Sequence, residues 1–520
     1  MSENKKRKSF ISGAAILAAG SLLAKFLGMF FRLPVINILG SYGNGLYEYA
    51  YPLYNTFLAI STTGLPIAIS KMVSEKMSSD DYFGAYRVFS VSTKAMGVLG
   101  ALISVTMFLS ANIIIKISGW PQDTYYSIVA VSLAPFLVSL ISAIRGFFQG
   151  MQIMGPSSAS QVFEQVGRVS FGLLLAYTLT NAYGVALGAA GATFGAVSGG
   201  LFGLAYLAFS FSKTRKKHEI FIAQTQRGRA PEDAKIIIRT LVVTAIPMML
   251  GSFVNTVMGL INSVTIPNSL ATIGYTVEQA TDLIGRLGPS STLTNVPIVL
   301  GSALSASLVP YISSAYASGE KREVIGRHTA MAMRTSFLVS LPCAIGLYVL
   351  ASPIFSLLYP NIDGASFLKY NALVGIFTIA GSNLQAILQG SGYFYKALMT
   401  LVCTAVVKVI ANIVFVRIPA LNIYGAILAS MVSTIFLFVM NFALVKKYVG
   451  IGKVFVSIVK TIICAVLMGV FANYSFMFVS SFIGEKIGVI IAIGLSAVAY
   501  VALLLITKTV TKEDIKEILG

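Results

Sequence analysis

The chain has 520 residues, 56% of them hydrophobic and only 11% charged, with a formal net charge of +19. Soluble domains carry about 25% charged residues, so this composition excludes an ordinary soluble protein and points to a polytopic membrane protein. The basic excess falls in alternate loops between apolar segments, as membrane topology requires, so it gives no ground for nucleic acid as a partner.

The N-terminus opens on Lys5, Lys6, Arg7 and Lys8, followed by an apolar stretch from about Phe10 to Phe31. That stretch is too long for the apolar core of a signal peptide and reads as a retained first helix. Apolar windows of spanning length then recur at 46–70, 84–112, 125–147, 157–181, 186–211, 236–264, 290–316, 329–357, 366–390, 396–416, 421–445, 454–480 and 486–507. The expected fold is all-α, with about fourteen transmembrane helices. Gly64-Leu65-Pro66, Pro247, Pro297 and Pro310 mark bends that membrane helices tolerate.

Lys71, Lys76, Lys213–Lys217, Arg227, Arg229, Lys321, Arg322, Arg327, Lys446, Lys447, Lys453, Lys508, Lys512 and Lys516 fall in alternate loops on the side of the N-terminus. The opposite loops hold only Lys116, Arg286, Lys369, Arg417 and Lys486. The positive-inside rule therefore puts both termini in the cytoplasm. Cys343, Cys403 and Cys464 lie inside apolar segments without metal-ligand spacing and read as packing residues. His218 and His328 fall in basic loops, so neither a metal centre nor a His-based catalytic centre is expected.

The long basic loop at about 212–235 divides an internal repeat. At an offset of 240, the segment Ser142–Gly150, ending in Gln149-Gly150, faces Ser382–Gly390, ending in Gln389-Gly390. In the same register Arg87 matches Arg327, Lys94 matches Arg334, and Arg168 matches Lys408. Upstream, Ser61, Pro66 and Ser70 match Ser305, Pro310 and Ser314 at an offset of 244. Six spans per repeat give two pseudo-symmetric lobes of the same orientation, an arrangement found in transporters with the substrate site between halves. The expected organisation is a lobe over 1–225, a second over 226–450, and helices 13–14 with a tail over 451–520.

Arg168 and Lys408 sit at mid-membrane, where a cation costs about 3 kcal/mol unless it faces protein or water. Glu164 lies four residues before Arg168 on the same helix face and is the only carboxylate evident well inside a span. The pair is either a self-neutralised structural contact or a switch that substrate opens. Lys408 has no acidic partner in its own helix, which favours an anionic ligand or a partner such as Glu164. Lys94 and Arg334 stand near the cytoplasmic ends of their spans, where snorkelling competes with a gating role. Arg145 sits at a helix end, where topology alone accounts for it unless it catches a lipid headgroup.

Several segments carry a resemblance: Gly64-Leu-Pro-Ile-Ala-Ile-Ser-Lys71, Arg145-Gly-Phe-Phe-Gln-Gly150, Gln161-Val-Phe-Glu-Gln-Val-Gly-Arg168-Val and Asn295-Val-Pro-Ile-Val-Leu-Gly-Ser-Ala-Leu-Ser-Ala-Ser-Leu-Val-Pro310. Together they resemble the stage V sporulation protein B branch of the polysaccharide exporters, in the multidrug/oligosaccharidyl-lipid/polysaccharide (MOP) superfamily, over nearly the whole chain. The resemblance implies two six-helix lobes that open alternately, and two further helices bordering a lipid-facing groove. MurJ-like lipid II flippases are its best understood members, and there basic cavity residues are thought to hold the substrate's pyrophosphate. Lys25-Phe-Leu-Gly-Met-Phe-Phe-Arg32 is similar to their basic–Leu-Gly–Arg segment. Leu33 replaces the acidic residue that follows it there, no basic residue stands near Leu58, and only Arg286 lies near the Val-Pro of span 8.

Lys25 and Arg32, seven residues apart and so about 10 Å along one helix face, are thus expected substrate contacts, together with Arg168 and Lys408. Glu164, Arg145, Lys94 and Arg334 are candidate gating or ion-pair residues. The implied activity is translocation of an undecaprenyl-pyrophosphate-linked glycan, foremost lipid II of peptidoglycan biosynthesis, from the inner to the outer leaflet of the bacterial plasma membrane. The implied partners are that glycan and membrane lipids, with the protein a monomer. No cofactor is expected; the membrane potential or a coupled cation would supply the drive. Another lipid-linked oligosaccharide or surface polysaccharide is the alternative substrate. A glycan polymerase would need an acidic centre, and the outer-loop residues Asp123, Glu278, Asp282 and Asp363 form no pattern. A multidrug exporter would favour an acidic interior, the opposite of this one.

Overall fold

In hydrocarbon a backbone N–H or C=O has no partner but the chain itself, so apolar runs of this length close into helices. The computed structural model describes residues 3–62, 64–226 and 232–509, without the side chains of residues 3–15, 18, 61, 247–248, 255 and 302–311. The side chains of Lys5–Lys8, Pro247 and Pro310, and all of Arg227, Arg229, Lys512 and Lys516, therefore lie outside the described residues.

The elements, in chain order, are α1 Glu3–Thr62, α2 Gly64–Ser78, α3 Tyr82–Ser118, α4 Thr124–Val131, α5 Ala134–Gly150, α6 Met154–Tyr183, α7 Val185–Lys217, α8 Glu219–Gln226, α9 Ala234–Ala271, α10 Val277–Ala317, α11 Arg322–Val349, α12 Ala351–Leu358, α13 Ala365–Gly390, α14 Phe394–Val416, α15 Tyr424–Tyr448, α16 Phe455–Ile483 and α17 Glu485–Ile506. No strand occurs among the described residues. The chain is an all-α, multi-pass membrane protein.

Eleven stretches among the described residues are long and apolar enough to cross a bilayer, against the fourteen windows in the sequence. Part of the difference has physical causes, and window 290–316 runs over side chains outside the described residues. The first two windows run into one another as α1, two helices meeting across a kink at Gly40, whose φ of 66° is a conformation that L side chains rarely adopt. At Gly64, the first residue of α2, a Cβ would collide with the carbonyl of Ala245. α6 is missing from the eleven because Gln161, Glu164, Gln165 and Arg168 make it polar along one face.

The chain forms two compact units, Met1–Asn268 with Thr276–Gly285, and Ser269–Tyr275 with Arg286–Gly520. The 240-residue register recurs in their elements. α3 and α11 start at Tyr82 and Arg322, α5 and α13 end at Gly150 and Gly390, and α6 and α14 start at Met154 and Phe394. In the first unit, Leu65, Ile69, Val73, Phe147 and Leu241 form one buried cluster, and Phe31, Val35, Leu46 and Tyr47 belong to another. In the second, Phe337, Leu384, Leu388 and Met468 pack around the buried Cys464. Cys343 is half-buried and Cys403 exposed, and all three cysteines are free.

The contact between α6 and α7 depends on small residues. Gly191, Gly195, Gly199 and Gly203 recur every fourth residue along α7, one stripe on a helix. A Cβ on Gly199 would stand 2.5 Å from the carbonyl oxygen of Glu164, and one on Gly195 would stand 3.0 Å from that of Arg168. The two backbones therefore approach as closely as small-residue membrane interfaces allow. The approach fixes the rotation of α6 and with it the direction in which Glu164 and Arg168 project. Gly199→Leu is expected to destabilise the protein by about 1–3 kcal/mol through overpacking, read as a lower midpoint of thermal unfolding in detergent. Gly494→Ala, with no atom within 4 Å of the added Cβ, should leave the midpoint unchanged.

Candidate functional site

Helical spacing alone assembles one face of the candidate site. α1 offers Ser21, Ala24, Lys25, Gly28, Phe31 and Arg32 at steps of three and four residues. α6 offers Gln161, Glu164, Gln165 and Arg168 in the same rhythm. With Arg145 from α5, and Tyr47 and Tyr51 from the part of α1 beyond the Gly40 kink, they line a cavity of about 450 Å³ in the first unit.

The charges inside it are arranged in pairs. Glu164 is shared: Arg145 Nη2 donates to Glu164 Oε2 at 3.0 Å, and Arg168 Nη2 lies 3.7 Å from Glu164 Oε1. Arg145 Nε also donates to Ser160 Oγ at 2.9 Å, and Arg168 Nη1 to the Tyr51 hydroxyl at 3.0 Å. Across the cavity lining, Arg32 pairs with Glu48 and lies over the ring of Tyr47, 5.1 Å from its centroid. Tyr47 in turn stacks on Tyr51, with centroids 5.1 Å apart. Lys25 has no carboxylate within ion-pair distance among the described residues. Arg168 Nε and Gln165 Oε1 are buried without hydrogen-bond partners.

Four cations against two carboxylates leave a formal excess of two positive charges at the cavity. Arginines presented edge-on suit bidentate oxyanions, and a lysine supplies a mobile point charge. The tyrosine faces offer flat surfaces beside them. Chemically, the site can hold a doubly charged anion with a ring system attached.

The structure thus brings together Lys25, Arg32, Arg145, Glu164 and Arg168. Arg145, which topology alone would place at a helix end, reaches Glu164 and is its nearer arginine. Lys94 is exposed on α3 and does not line this cavity. Lys408 belongs to α14 of the second unit, half-buried, with no carboxylate within ion-pair distance among the described residues. Arg334 belongs to α11 of that unit and lines a separate cavity with Arg327 and His328. Asp123 accepts from the Tyr42 hydroxyl at 3.1 Å, and Asp282 accepts from Ser41 Oγ.

Sequence reasoning missed Glu48, Tyr47, Tyr51, Gln161 and Gln165. The signal for the first three is legible afterwards. Tyr47-Glu48-Tyr49-Ala50-Tyr51 puts a carboxylate and three tyrosines at the head of an apolar window. Glu48 reaches Arg32 from beyond the Gly40 kink of the same element.

Residues 10–316 match the family described as "Polysaccharide biosynthesis protein". The chain is similar to "Stage V sporulation protein B" of Bacillus subtilis (strain 168), 27% identical over 515 residues that cover 98% of each chain. It is also similar to "Lipid II flippase MurJ" of the same organism, 27% identical over 477 residues, 88% of this chain and 86% of that one. Among solved structures, "Lipid II flippase MurJ, inward closed conformation" superposes with a TM-score of 0.64 at 15% identity, covering 95% of this chain and 98% of that one. An inward-facing multidrug resistance transporter of the MATE family in the MOP superfamily gives 0.65 at 16% identity, covering 82% and 95%. These structural likenesses establish the fold.

The shared carboxylate gives a direct test of the pairing. A double-mutant cycle of Arg145→Ala with Glu164→Gln is expected to show a coupling of about 1–3 kcal/mol in unfolding free energy. The cycle of Lys94→Ala with Glu164→Gln should couple by less than about 0.5 kcal/mol.

Proposed function

The chain belongs to the polysaccharide biosynthesis protein family, and from that premise we propose that it is a flippase for a polyprenyl-pyrophosphate-linked glycan, lipid II foremost. It carries the glycan from the inner to the outer leaflet by alternating access and makes or breaks no bond. The observation that carries this reading is the cavity of α1, α5 and α6, with its excess of two positive charges beside Tyr47 and Tyr51. A pyrophosphate diester bears two negative charges and a sugar, and its polyprenyl tail remains in lipid. The similarity to the two Bacillus subtilis proteins supports the same class of cargo.

Within that reading the ion pairs do mechanical work. Arg32 pairs with Glu48, and Arg145 and Arg168 with Glu164. A diphosphate competes for the same guanidinium faces, so its arrival exchanges carboxylate contacts for phosphate contacts. A ligand moves a conformational equilibrium only by such differential contacts. Lys25, uncommitted and exposed, makes the first contact. With the basic loops in the cytoplasm, the membrane potential acts on the charges that move, at about 2.3 kcal/mol per charge per 100 mV. The carboxylates freed by substrate are where a coupled cation would act. The protein works as a monomer in the bacterial plasma membrane.

A multidrug exporter of the same superfamily is disfavoured, because a cavity with excess positive charge repels cationic drugs. The cell-based test removes the known lipid II flippases from a bacterium and asks whether this chain restores wall synthesis. Rescue is expected. Arg32→Ala or Lys25→Ala should abolish it, since one charge-assisted contact of about 1.5–3 kcal/mol corresponds to roughly 10- to 100-fold weaker hold. Lys116→Ala, at the far end of α3, should rescue fully. Full rescue by both cavity variants would contradict the pyrophosphate role, and failure of the expressed wild-type chain would point to another lipid-linked glycan.

A further inference from the structure

A second cationic cavity, of about 480 Å³, opens in the second unit where α11 and α16 begin. Arg327, His328 and Arg334 line it from α11, Lys453 from the loop before α16 and Ser457 from the first turn of α16. No lining residue is a carboxylate. Neither Arg327 nor Lys453 has an acidic partner within ion-pair distance among the described residues. Glu320 and Glu323, the acidic groups adjacent in sequence, are exposed and line no part of it.

The walls are held by the fold. Gly452 N donates to Gly326 O at 2.8 Å, which pins the loop before α16 directly onto α11. The approach is tight, since a Cβ on Gly452 would stand 3.0 Å from Gly326 O. Arg322 Nη2 donates to the carbonyls of Lys446 and Lys447 at 2.7 and 2.9 Å, fastening the end of α15 to the same helix. In the first unit the equivalent helix start, that of α3, is covered instead. There α8 lies on it, with Tyr82 stacked on Phe221 at 5.1 Å and Phe83 N donating to Thr225 Oγ1 at 3.0 Å.

Three further features point to a phosphate. α16 starts at this cavity without a side-chain cap, so its first N–H groups present partial positive charge. Ser457 Oγ is buried without a hydrogen-bond partner. Directly beside them Phe455 and Val456 are 77% and 69% exposed, apolar side chains that belong against hydrocarbon. The cations therefore stand where water meets lipid, at the height of headgroup phosphates. Guanidinium, ammonium, hydroxyl and helix N–H groups together match a phosphate ester.

We infer that this cavity binds the phosphate of a membrane lipid headgroup, as on an anionic phospholipid, at a site distinct from the cavity of α1, α5 and α6. A soluble phosphate ester offers the same chemistry, and the test separates the two sources. The full-length protein is examined by native mass spectrometry with phosphatidylglycerol, with phosphatidylcholine, and with phosphatidylglycerol in competition with glycerol 3-phosphate. Phosphatidylglycerol should be retained in preference to phosphatidylcholine and should resist glycerol 3-phosphate. Arg327→Ala and Lys453→Ala, both exposed positions, should each weaken retention by roughly tenfold, with unchanged thermal stability, whereas Lys116→Ala should have no effect. Displacement by glycerol 3-phosphate, with the same dependence on Arg327 and Lys453, would keep the phosphate site and overturn its assignment to a lipid. Equal retention of the two lipids, or retention untouched by both variants, would overturn the site itself.

Discussion

A charge inside a membrane protein needs a counter-charge, a polar ligand or water, because hydrocarbon supplies none of them. Glu164 answers that need for two arginines at once, Arg145 from α5 and Arg168 from its own helix. Glu48 answers it for Arg32 across the two segments of α1. The pairs make the interior tolerable, but only in part, since Lys25 is left over and two positive charges remain unbalanced. A buried ion pair replaced by apolar residues often gives a protein at least as stable. The presence of this set is therefore poor testimony for stability and better testimony for a ligand that takes the carboxylates' place.

Backbone packing makes the arrangement possible. The glycine stripe of α7 lets α6 come within van der Waals reach of its main chain, so Gln161, Glu164, Gln165 and Arg168 share one face directed at the cavity. α1 contributes a matching face, on which Gly28 lies beside the Gln165 amide. The kink at Gly40 then allows Tyr47 and Glu48 to meet Arg32, well before them in the same element, while Tyr51 meets Arg168 of α6. The second unit keeps the 240-residue register of helix starts and ends but fills it with different chemistry. Its α11 carries Arg327 and Arg334 to an open cavity, while the corresponding helix of the first unit is capped by α8.

Much of this was readable before any coordinates. Helical periodicity and hydropathy identify the spans, and the repeat is visible because Gln149-Gly150 and Gln389-Gly390 both end a helix. Glu164 and Arg168 are conspicuous because ionised groups are rare in apolar windows, while Lys25 and Arg32 stand out through the family resemblance of their segment. Glu48 was not conspicuous, since it stands near the edge of a window where a carboxylate is inexpensive, and only the turn at Gly40 brings it to Arg32. Arg145 was explained away by topology, and nothing in its own segment announces that it shares a carboxylate nineteen residues on. Pairings between helices are tertiary facts, and a single sequence encodes them only through packing.

The central claim is that the paired arginines and Lys25 hold a pyrophosphate-linked glycan while it crosses the membrane. Reconstitution into liposomes with a fluorescent polyprenyl-pyrophosphate glycan in one leaflet tests it most directly, with a membrane-impermeant quencher reporting transfer. The account predicts protein-dependent transfer that slows markedly in Arg32→Ala and is competed by a polyprenyl pyrophosphate lacking the sugar. Transfer equally fast in Arg32→Ala and Lys25→Ala, or unaffected by the competing pyrophosphate, would contradict it.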